Sequence, residues 1–181
     1  MAHMHRIVEQ IELDGLRLSA LECVRLLDLP ECYLAAGFVR NLIWDTLHQK
    51  LRPTPLNDID VIYFDSNESN PEQFQEYESR LNEMLPQLNW QVRNQALMHI
   101  RNNDDPYGSS LDAMSYWPEK ETAIGIRKLS DGHLECIAAF GYDSLFNLQI
   151  THNPKRLRSV FEHRINSKGW LTTWSNLSVL L

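Results

Sequence analysis

The sequence has few cysteines, no long apolar run and no excess of positive charge, and each shortage excludes a class of protein. Its three cysteines, Cys23, Cys32 and Cys136, are odd in number and scattered. They predict reduced thiols, and they exclude a disulfide framework or a zinc site with regular ligand spacing. No stretch approaches the roughly 18 apolar residues of a membrane span, and nothing near the start resembles a secretory signal. We therefore expect a cytoplasmic protein with no membrane association.

The net charge of -7 argues against general binding to duplex DNA, because phosphate contacts require a basic surface. Several basic residues do gather late in the chain, and their spacing predicts the solvated face of a helix. These residues are Lys155, Arg156, Arg158, Arg164 and Lys168.

The length of 181 residues and the hydrophobic fraction of 43% predict a single domain over residues 1–181 that is large enough to bury a core. Met1 to Met4 (MAHM) resembles a vector-derived leader and takes no part in the predicted fold.

Apolar periodicity predicts alternating helices and strands. Residues 102–110 form a long polar loop, the best candidate for a mobile segment. A hairpin with an Asp-Gly turn follows, then a strand over 145–150. Pro154 then precedes a helix that runs to about Ile165. The order predicts an α/β (α+β) fold, a mixed β-sheet flanked by helices with a strand-rich C-terminal portion and a terminal helix. The predicted earlier helices span 19–27 (behind a Ser cap), 38–50 and 72–85, and the earlier strands span 32–36, 58–65 and 90–93.

Asp58 and Asp60 are the sharpest chemical feature. Residues two apart in a strand point to one face, so both carboxylates project together while Ile59 and Val61 enter the core. A divalent cation between them would relieve their repulsion. Since Mg²⁺ prefers a few carboxylates with phosphate oxygens and water, the pair predicts a Mg²⁺ (or Mn²⁺) site.

Gly37 separates a buried strand from a helix whose first turn carries Arg40. A helix N-terminus after a glycine offers free backbone N–H groups and a positive dipole end to phosphate. Arg40 could add a charge-assisted contact there. A surface or core-bracing role for Arg40 is the alternative.

The segments Tyr33–Asn41 (YLAAGFVRN) and Asn57–Val61 (NDIDV) together resemble the signature of the polymerase-β-type nucleotidyltransferases. They are especially similar to the N-terminal motif of the tRNA CCA-adding enzymes. The whole chain resembles a family of uncharacterised bacterial nucleotidyltransferase-like proteins. This resemblance implies the nucleotidyltransferase fold, a nucleoside triphosphate (NTP) as substrate, and nucleotide-binding roles for the segment that contains Gly37, Arg40 and Asn41. The later matches are Arg93–Ala96, Met98–His99, Tyr107, Trp117–Glu119, Thr122–Arg127, Phe140–Gly141 and Lys168–Trp170.

The chain departs from the superfamily pattern at several positions. Ala36 replaces the usual first glycine, Asn41 replaces the helix acid, and the loop between Gly37 and Asp58 is long. A third carboxylate is not evident on the strand after the intervening helix, where Asn94 lies near the expected position. Glu121 could supply a catalytic carboxylate from another direction, or it could be an exposed strand-end residue.

Arg93 and Arg127 could clamp the β- and γ-phosphates, because a guanidinium fork matches phosphate oxygens. The aspartate pair, the Gly37–Arg40 segment and these two arginines together predict Mg²⁺-dependent transfer of a nucleotidyl group from an NTP to an unidentified acceptor. The acceptor could be a small molecule, a protein or RNA. Two alternatives stay open. The missing third acid favours a catalytically degenerate nucleotide-binding regulator. If the Asp-x-Asp pattern is incidental, the chain is instead a protein-interaction module.

Overall fold

The protein is described here by a computed structural model that covers residues 2–181. Helices precede the first strand and separate most of the later ones, and a short strand is the last element, so the alternation expected from the sequence is present. The helices are α1 (Ala2–Glu12), α2 (Gly15–Arg25), α3 (Gly37–Leu47), α4 (Phe74–Met84), α5 (Gln95–Asn102), α6 (Ser110–Met114), α7 (Asp143–Phe146), α8 (Arg158–Lys168) and α9 (Trp170–Thr173). The strands are β1 (Tyr33–Ala35), β2 (Asp58–Tyr63), β3 (Asn89–Asn94), β4 (Ile124–Lys128), β5 (Leu134–Ala138), β6 (Gln149–Thr151) and β7 (Ser178–Leu180).

Five strands form a mixed sheet in the order β3-β2-β1-β4-β5. Strand β1 is central and antiparallel to both β2 and β4, and β4 and β5 form the predicted hairpin. Strands β2 and β3 run parallel because α4 carries the chain back between them. A separate pair, β6 and β7, forms a small parallel sheet near the C-terminal end. The expected fold class, a mixed sheet flanked by helices, is confirmed.

The two faces of the sheet are covered unequally. On one face Ile59, Val61 and Tyr63 are fully buried in the main core, which also contains residues of α1, α2, α3, α4 and α8. On the other face Ile62 and Tyr33 join a much smaller apolar cluster beside α6. The strand alternation of β2 therefore sends its two aspartates to the thinly covered face.

Two N-terminal expectations need correction. Helix α2 begins four residues before Ser19, and its cap is Asp14, whose carboxylate accepts a hydrogen bond from the Arg17 amide at 3.0 Å. Helix α1 was missed, although Ile7 and Ile11 are fully buried. Of the excluded segment Met1 to Met4, Met1 lies outside the described residues and the other three form the first turn of α1.

The C-terminal half differs from its prediction in two places. Residues 145–150 were expected to be one strand, but α7 ends at Phe146 and only Gln149–Thr151 is extended. The polar segment after α5 was expected to be mobile. Instead, Asp104 is paired with Arg156 and accepts a hydrogen bond from the hydroxyl of Tyr107, which is buried. Within residues 2–181, no helix combines the length and the apolar character that crossing a membrane requires.

Candidate active site

A large cleft opens on the thinly covered face of the sheet, with a volume of about 940 Å³. Its floor comes from β2 and β3, and one end is formed by the turn into α3. The opposite wall comes from α5, the loop after α6 and the segment from Pro154 through α9. The cleft thus lies where a strand-to-helix turn meets the C-terminal helices, so residues far apart in sequence share one wall.

Asp58 and Asp60 both line this cleft, while Ile59 and Val61 are buried behind it. The prediction that the two carboxylates share a face is confirmed. Asp58 is exposed and accepts a hydrogen bond from Asn89 Nδ2 at 2.6 Å. Burial raises the pKa of Asp60 above its ordinary value, an effect that the nearby Arg40 guanidinium opposes and the Asp58 carboxylate reinforces.

The absence of a side chain at Gly37, the first residue of α3, leaves room for two neighbouring side chains. A Cβ at this position would lie 3.2 Å from Asn41 Nδ2 and 3.4 Å from Arg40 Nη2. The glycine therefore lets both side chains fold back over the start of the helix. Beside it, Ala36 holds φ 56° and ψ −123°, a left-handed conformation that favours glycine and costs an alanine on the order of 1–3 kcal/mol. The substitution at the usual glycine position thus leaves the turn intact but strained.

Arg40 is a buried cation. Its guanidinium donates to Thr122 Oγ1 at 2.6 Å and to Asn41 Oδ1, and it lies 5.2 Å and 4.5 Å from the rings of Trp44 and Trp170. Burial lowers the pKa of Arg40 to about 10, so it stays charged at neutral pH. Among the described residues it forms no ion pair, and it lines the cleft beside Asp60. A charged, desolvated guanidinium in this position is suited to an anionic ligand.

The basic residues of the C-terminal region lie at a position that the sequence analysis did not predict. They were expected on the solvated face of a helix, and Lys155, Arg158 and Lys168 are indeed exposed. However, Lys155 and Arg156 precede α8, and four of the five line the cleft, while Arg158 is paired with Glu162. Arg164 and Lys168 are four residues apart in α8, so they lie on the same face of this helix, and both positive charges act on Asp60. The spacing of these two was the available signal. The seven basic residues of the lining are Arg40, Arg93, Arg101, Lys155, Arg156, Arg164 and Lys168.

Three other predicted site residues are placed differently from one another. Arg93 lines the cleft, but Glu78 Oε1 accepts from its guanidinium at 2.8 Å, and its charge lies over the ring of Phe74. Arg127 does not line the cleft; it lies in a second depression of about 230 Å³, paired with Glu135. Glu121 is buried and outside the cleft lining, and its two carboxylate oxygens accept hydrogen bonds from Thr151. Its expected exposure at a strand end is therefore corrected, and the structure does not bring the predicted catalytic carboxylate of Glu121 into the cleft with Asp58 and Asp60.

The cleft face of β3 carries no acid. Gln91 lies opposite Asp60 in the parallel register, and Arg93 lies opposite Ile62. Asn94 caps α5 and bonds to Asp65. Within residues 2–181, no group of three or more His, Cys, Asp or Glu side chains could hold a metal ion. Two carboxylates nevertheless fit Mg²⁺, which commonly binds one or two of them and takes its other oxygens from phosphates and water.

Comparisons with known proteins agree with this architecture. A solution structure described as revealing a CCA-adding enzyme head domain is similar to this chain, with a TM-score of 0.84 and 34% identity over 97% of this chain and 94% of that one. A CCA-adding enzyme in complex with CTP has a TM-score of 0.61 and 18% identity. The apo form of a CCA-adding enzyme has a TM-score of 0.55 and 15% identity.

These two CCA-adding enzymes are longer proteins, and at their low identity the likeness concerns the fold. The chain spans 43% and 38% of their lengths, while 99% and 91% of this chain is covered. No functionally curated protein matches the chain. A family model described as nucleotidyltransferase matches residues 22–179, a range that contains the Gly37 turn, both aspartates and α8. The chain therefore belongs to a nucleotidyltransferase family whose fold is that of the CCA-adding enzyme head domain.

Proposed function

We propose that this protein catalyses Mg²⁺-dependent transfer of a nucleotidyl group from an NTP to a hydroxyl-bearing acceptor, at the cleft that contains Asp58 and Asp60. The observation that carries the proposal is the arrangement of charge. Two carboxylates on one strand face the same cleft as an unpaired buried arginine, in a chain whose family transfers nucleotides. Carboxylates suit a cation and the arginine suits phosphate, so the cleft is complementary to a metal-bound triphosphate.

The triphosphate is assigned to the end of the cleft near the start of α3. There Arg40, Arg164 and Lys168 all act on Asp60, and the first turn of α3 presents the positive end of its dipole. The Arg164 guanidinium already donates hydrogen bonds to the Glu119 carboxylate, so only part of it remains for phosphate. Lys168 forms no ion pair within the described residues and is free to bind phosphate. Asn41, held against Arg40, keeps the guanidinium oriented.

Asp58 and Asp60 would hold the metal through the negative charge of their two carboxylates. When bound, Mg²⁺ neutralises phosphate charge and polarises the reacting oxygens. In the reaction the acceptor hydroxyl oxygen bonds to the α-phosphorus and the bond from that phosphorus to the α–β bridging oxygen breaks. Pyrophosphate leaves with the bond electrons, and the hydroxyl proton is released to water. The residues of this chain act by positioning and by stabilising charge.

A thermal-shift panel of the four NTPs, each with and without Mg²⁺, tests the proposal without knowledge of the acceptor. A ligand that binds only the folded state raises the melting temperature by mass action. We expect stabilisation by at least one NTP that requires Mg²⁺ and disappears in Asp58→Asn and Asp60→Asn. Asp131→Asn, at the exposed hairpin turn, is the matched control and should keep the response. Absence of stabilisation by every NTP in the wild type would refute the proposal.

A catalytically degenerate nucleotide-binding regulator is the second candidate, and the acid-free cleft face of β3 favours it. The two functions differ in turnover. Pyrophosphate release from Mg²⁺-NTP in the presence of cell extract supports the enzyme. Tight Mg²⁺-NTP binding with no release under any acceptor mixture supports the regulator.

A further inference from the structure

Part of the cleft wall lies away from the aspartate pair and has its own set of charges. It is formed by the end of α5, the loop after α6 and the segment before α8. The principal cations acting on Asp60 are Arg40, Lys168 and Arg164, whereas Lys155 and Arg156 act on Asp104. The lining residues of this second region, which we call the distal wall, are Arg101, Asn102, Tyr116, Lys155 and Arg156.

A tyrosine organises the distal wall. The Lys155 ammonium lies 3.9 Å from the centre of the Tyr116 ring and donates to Ser115 Oγ at 2.9 Å. The centre of the Tyr107 ring lies 5.0 Å from the centre of the Tyr116 ring. Arg156 donates to the Tyr116 backbone oxygen and is paired with Asp104. Arg156 is therefore compensated by Asp104, whereas Lys155 is held by a ring and a hydroxyl and forms no ion pair among residues 2–181.

Arg101 adds a second cation without a carboxylate partner. It lies in the last turn of α5, lines the cleft, and forms no ion pair among residues 2–181. The neighbouring Asn102 donates to the same Tyr107 hydroxyl that Arg156 contacts, so the end of α5 and the segment before α8 meet at this point. Lys155 on the Tyr116 ring and Arg101 in the last turn of α5 are thus two exposed cations that line the cleft, and a pair of this kind is suited to a phosphate group.

We propose that the distal wall binds the phosphate of a small phosphorylated acceptor and presents its hydroxyl to the nucleotide; this inference rests on the proposed function. The cleft volume of about 940 Å³ lies near the upper end of the ~300–1,000 Å³ range of ligand pockets. It therefore has room for an acceptor beside the nucleotide.

The distribution of charge favours a small acceptor over a nucleic acid. Seven of the 17 lysines and arginines line the cleft, but only two of the 24 acidic residues do. Elsewhere the chain carries 10 basic and 22 acidic side chains. A long polyanion would be repelled wherever it left the cleft, whereas a compact phosphate ester meets only the basic interior.

Calorimetric titration of the full chain, saturated with Mg²⁺ and a non-hydrolysable NTP, tests the inference. The probes are glycerol 3-phosphate and ribose 5-phosphate, with glycerol and ribose as uncharged counterparts. We expect at least one phosphate ester to bind and its counterpart not to bind. The double variant Arg101→Ala with Lys155→Ala should weaken that binding at least ~10-fold, because both charge-assisted contacts with the phosphate are lost. Nucleotide affinity should change less than ~2-fold.

The matched control is Arg80→Ala with Arg158→Ala, which removes two charges outside the cleft lining and should leave the phosphate ester affinity unchanged. Equal weakening in both double variants would overturn the inference, because general charge would then explain the binding. Failure of both esters to bind would also overturn it, and so would tighter, salt-sensitive binding of a single-stranded RNA 12-mer that the distal-wall variant abolishes. A protein that binds the NTP but neither ester refutes only this inference. A protein that binds no NTP refutes the proposed function, and titration of the nucleotide-free protein with the esters then decides the inference about the distal wall.

Melting curves of both double variants establish that they fold. The single variant Lys155→Gln repeats the test with a milder change.

Discussion

Two basic surfaces of this protein differ in how their charges are compensated. In the depression between α2 and β4, Arg25 and Lys128 share Glu22, and Arg127 is paired with Glu135. The two cations hold the pKa of Glu22 at about 2. In the cleft, by contrast, four of the seven cations have no carboxylate partner among residues 2–181, namely Arg40, Arg101, Lys155 and Lys168. Compensated cations stabilise the protein locally, whereas uncompensated ones in a concave site are available to an anion.

The largest expected effect belongs to Asp60. We expect Asp60→Asn to lower turnover by at least about 10²–10³-fold, the loss typical of a group that stabilises the transition state. The same variant should melt a few degrees higher without ligand. Burial raises the pKa of Asp60, so its stabilising contribution is present below the ordinary carboxyl pKa and is lost as pH rises through the folded-state value.

Melting curves of wild type and Asp60→Asn across pH test this sign. The variant should be the more stable at pH 7, and the difference should vanish below about pH 4, where the unfolded carboxyl is protonated as well. The exposed Asp58 provides the comparison, since Asp58→Asn should match the loss of turnover with a smaller gain in melting temperature. A less stable Asp60→Asn at pH 7 would contradict the account of a site held under unfavourable electrostatics.

Arg40 tests whether an uncompensated buried cation serves the nucleotide. We expect Arg40→Lys to raise the KM for the NTP about 10-fold even though the charge is kept, because lysine lacks the planar fork that reaches Thr122 and Asn41 and stacks on the tryptophans. Steady-state kinetics with the optimal NTP measure this. An unchanged KM would return Arg40 to the core-bracing role that the sequence left open.

Lys168 and Lys128 provide a matched pair across the two surfaces. Lys168→Ala should weaken NTP binding about 10-fold, with a smaller salt dependence than wild type. Lys128→Ala removes the same charge from the compensated surface and should change NTP affinity less than ~2-fold. Arg127→Ala extends the comparison to a residue that the sequence predicted to bind phosphate. Equal losses for all three variants would show that net charge, not position, governs binding.

The smallest effect concerns the strained turn. Ala36→Gly should stabilise the protein by about 0.5–1 kcal/mol, because glycine adopts a positive φ without the steric cost of a Cβ. Chemical denaturation measures the change, with Ala35→Gly in β1 as the control that should destabilise. A destabilised Ala36→Gly would mean that unfolded-state entropy outweighs the relief of strain.

The sequence predicted the main strands and the helices between them, because their apolar spacing records which side of each element meets the core. Helices α5 and α6 were missed because polar residues within and around them made residues 102–110 and their surroundings resemble a loop. Strand 145–150 was predicted too long, because a run of apolar residues fits a short helix and a short strand equally well.

The face shared by Asp58 and Asp60 was predictable because alternation in a strand is a local property. The strand-to-helix turn at Gly37 is local as well, and so is the helix that it begins. Which cations meet these aspartates depends on contacts across more than a hundred residues. The tertiary structure brings Arg164 and Lys168 to Asp60, and it assigns Arg127 to Glu135 and Glu121 to Thr151. The register of the β4–β5 hairpin sets the Arg127–Glu135 pair, but no spacing in the chain encodes the approach of Arg164 and Lys168 to Asp60. That approach follows from how α8 packs against the sheet, because burial of apolar surface, not the charges, fixes that packing.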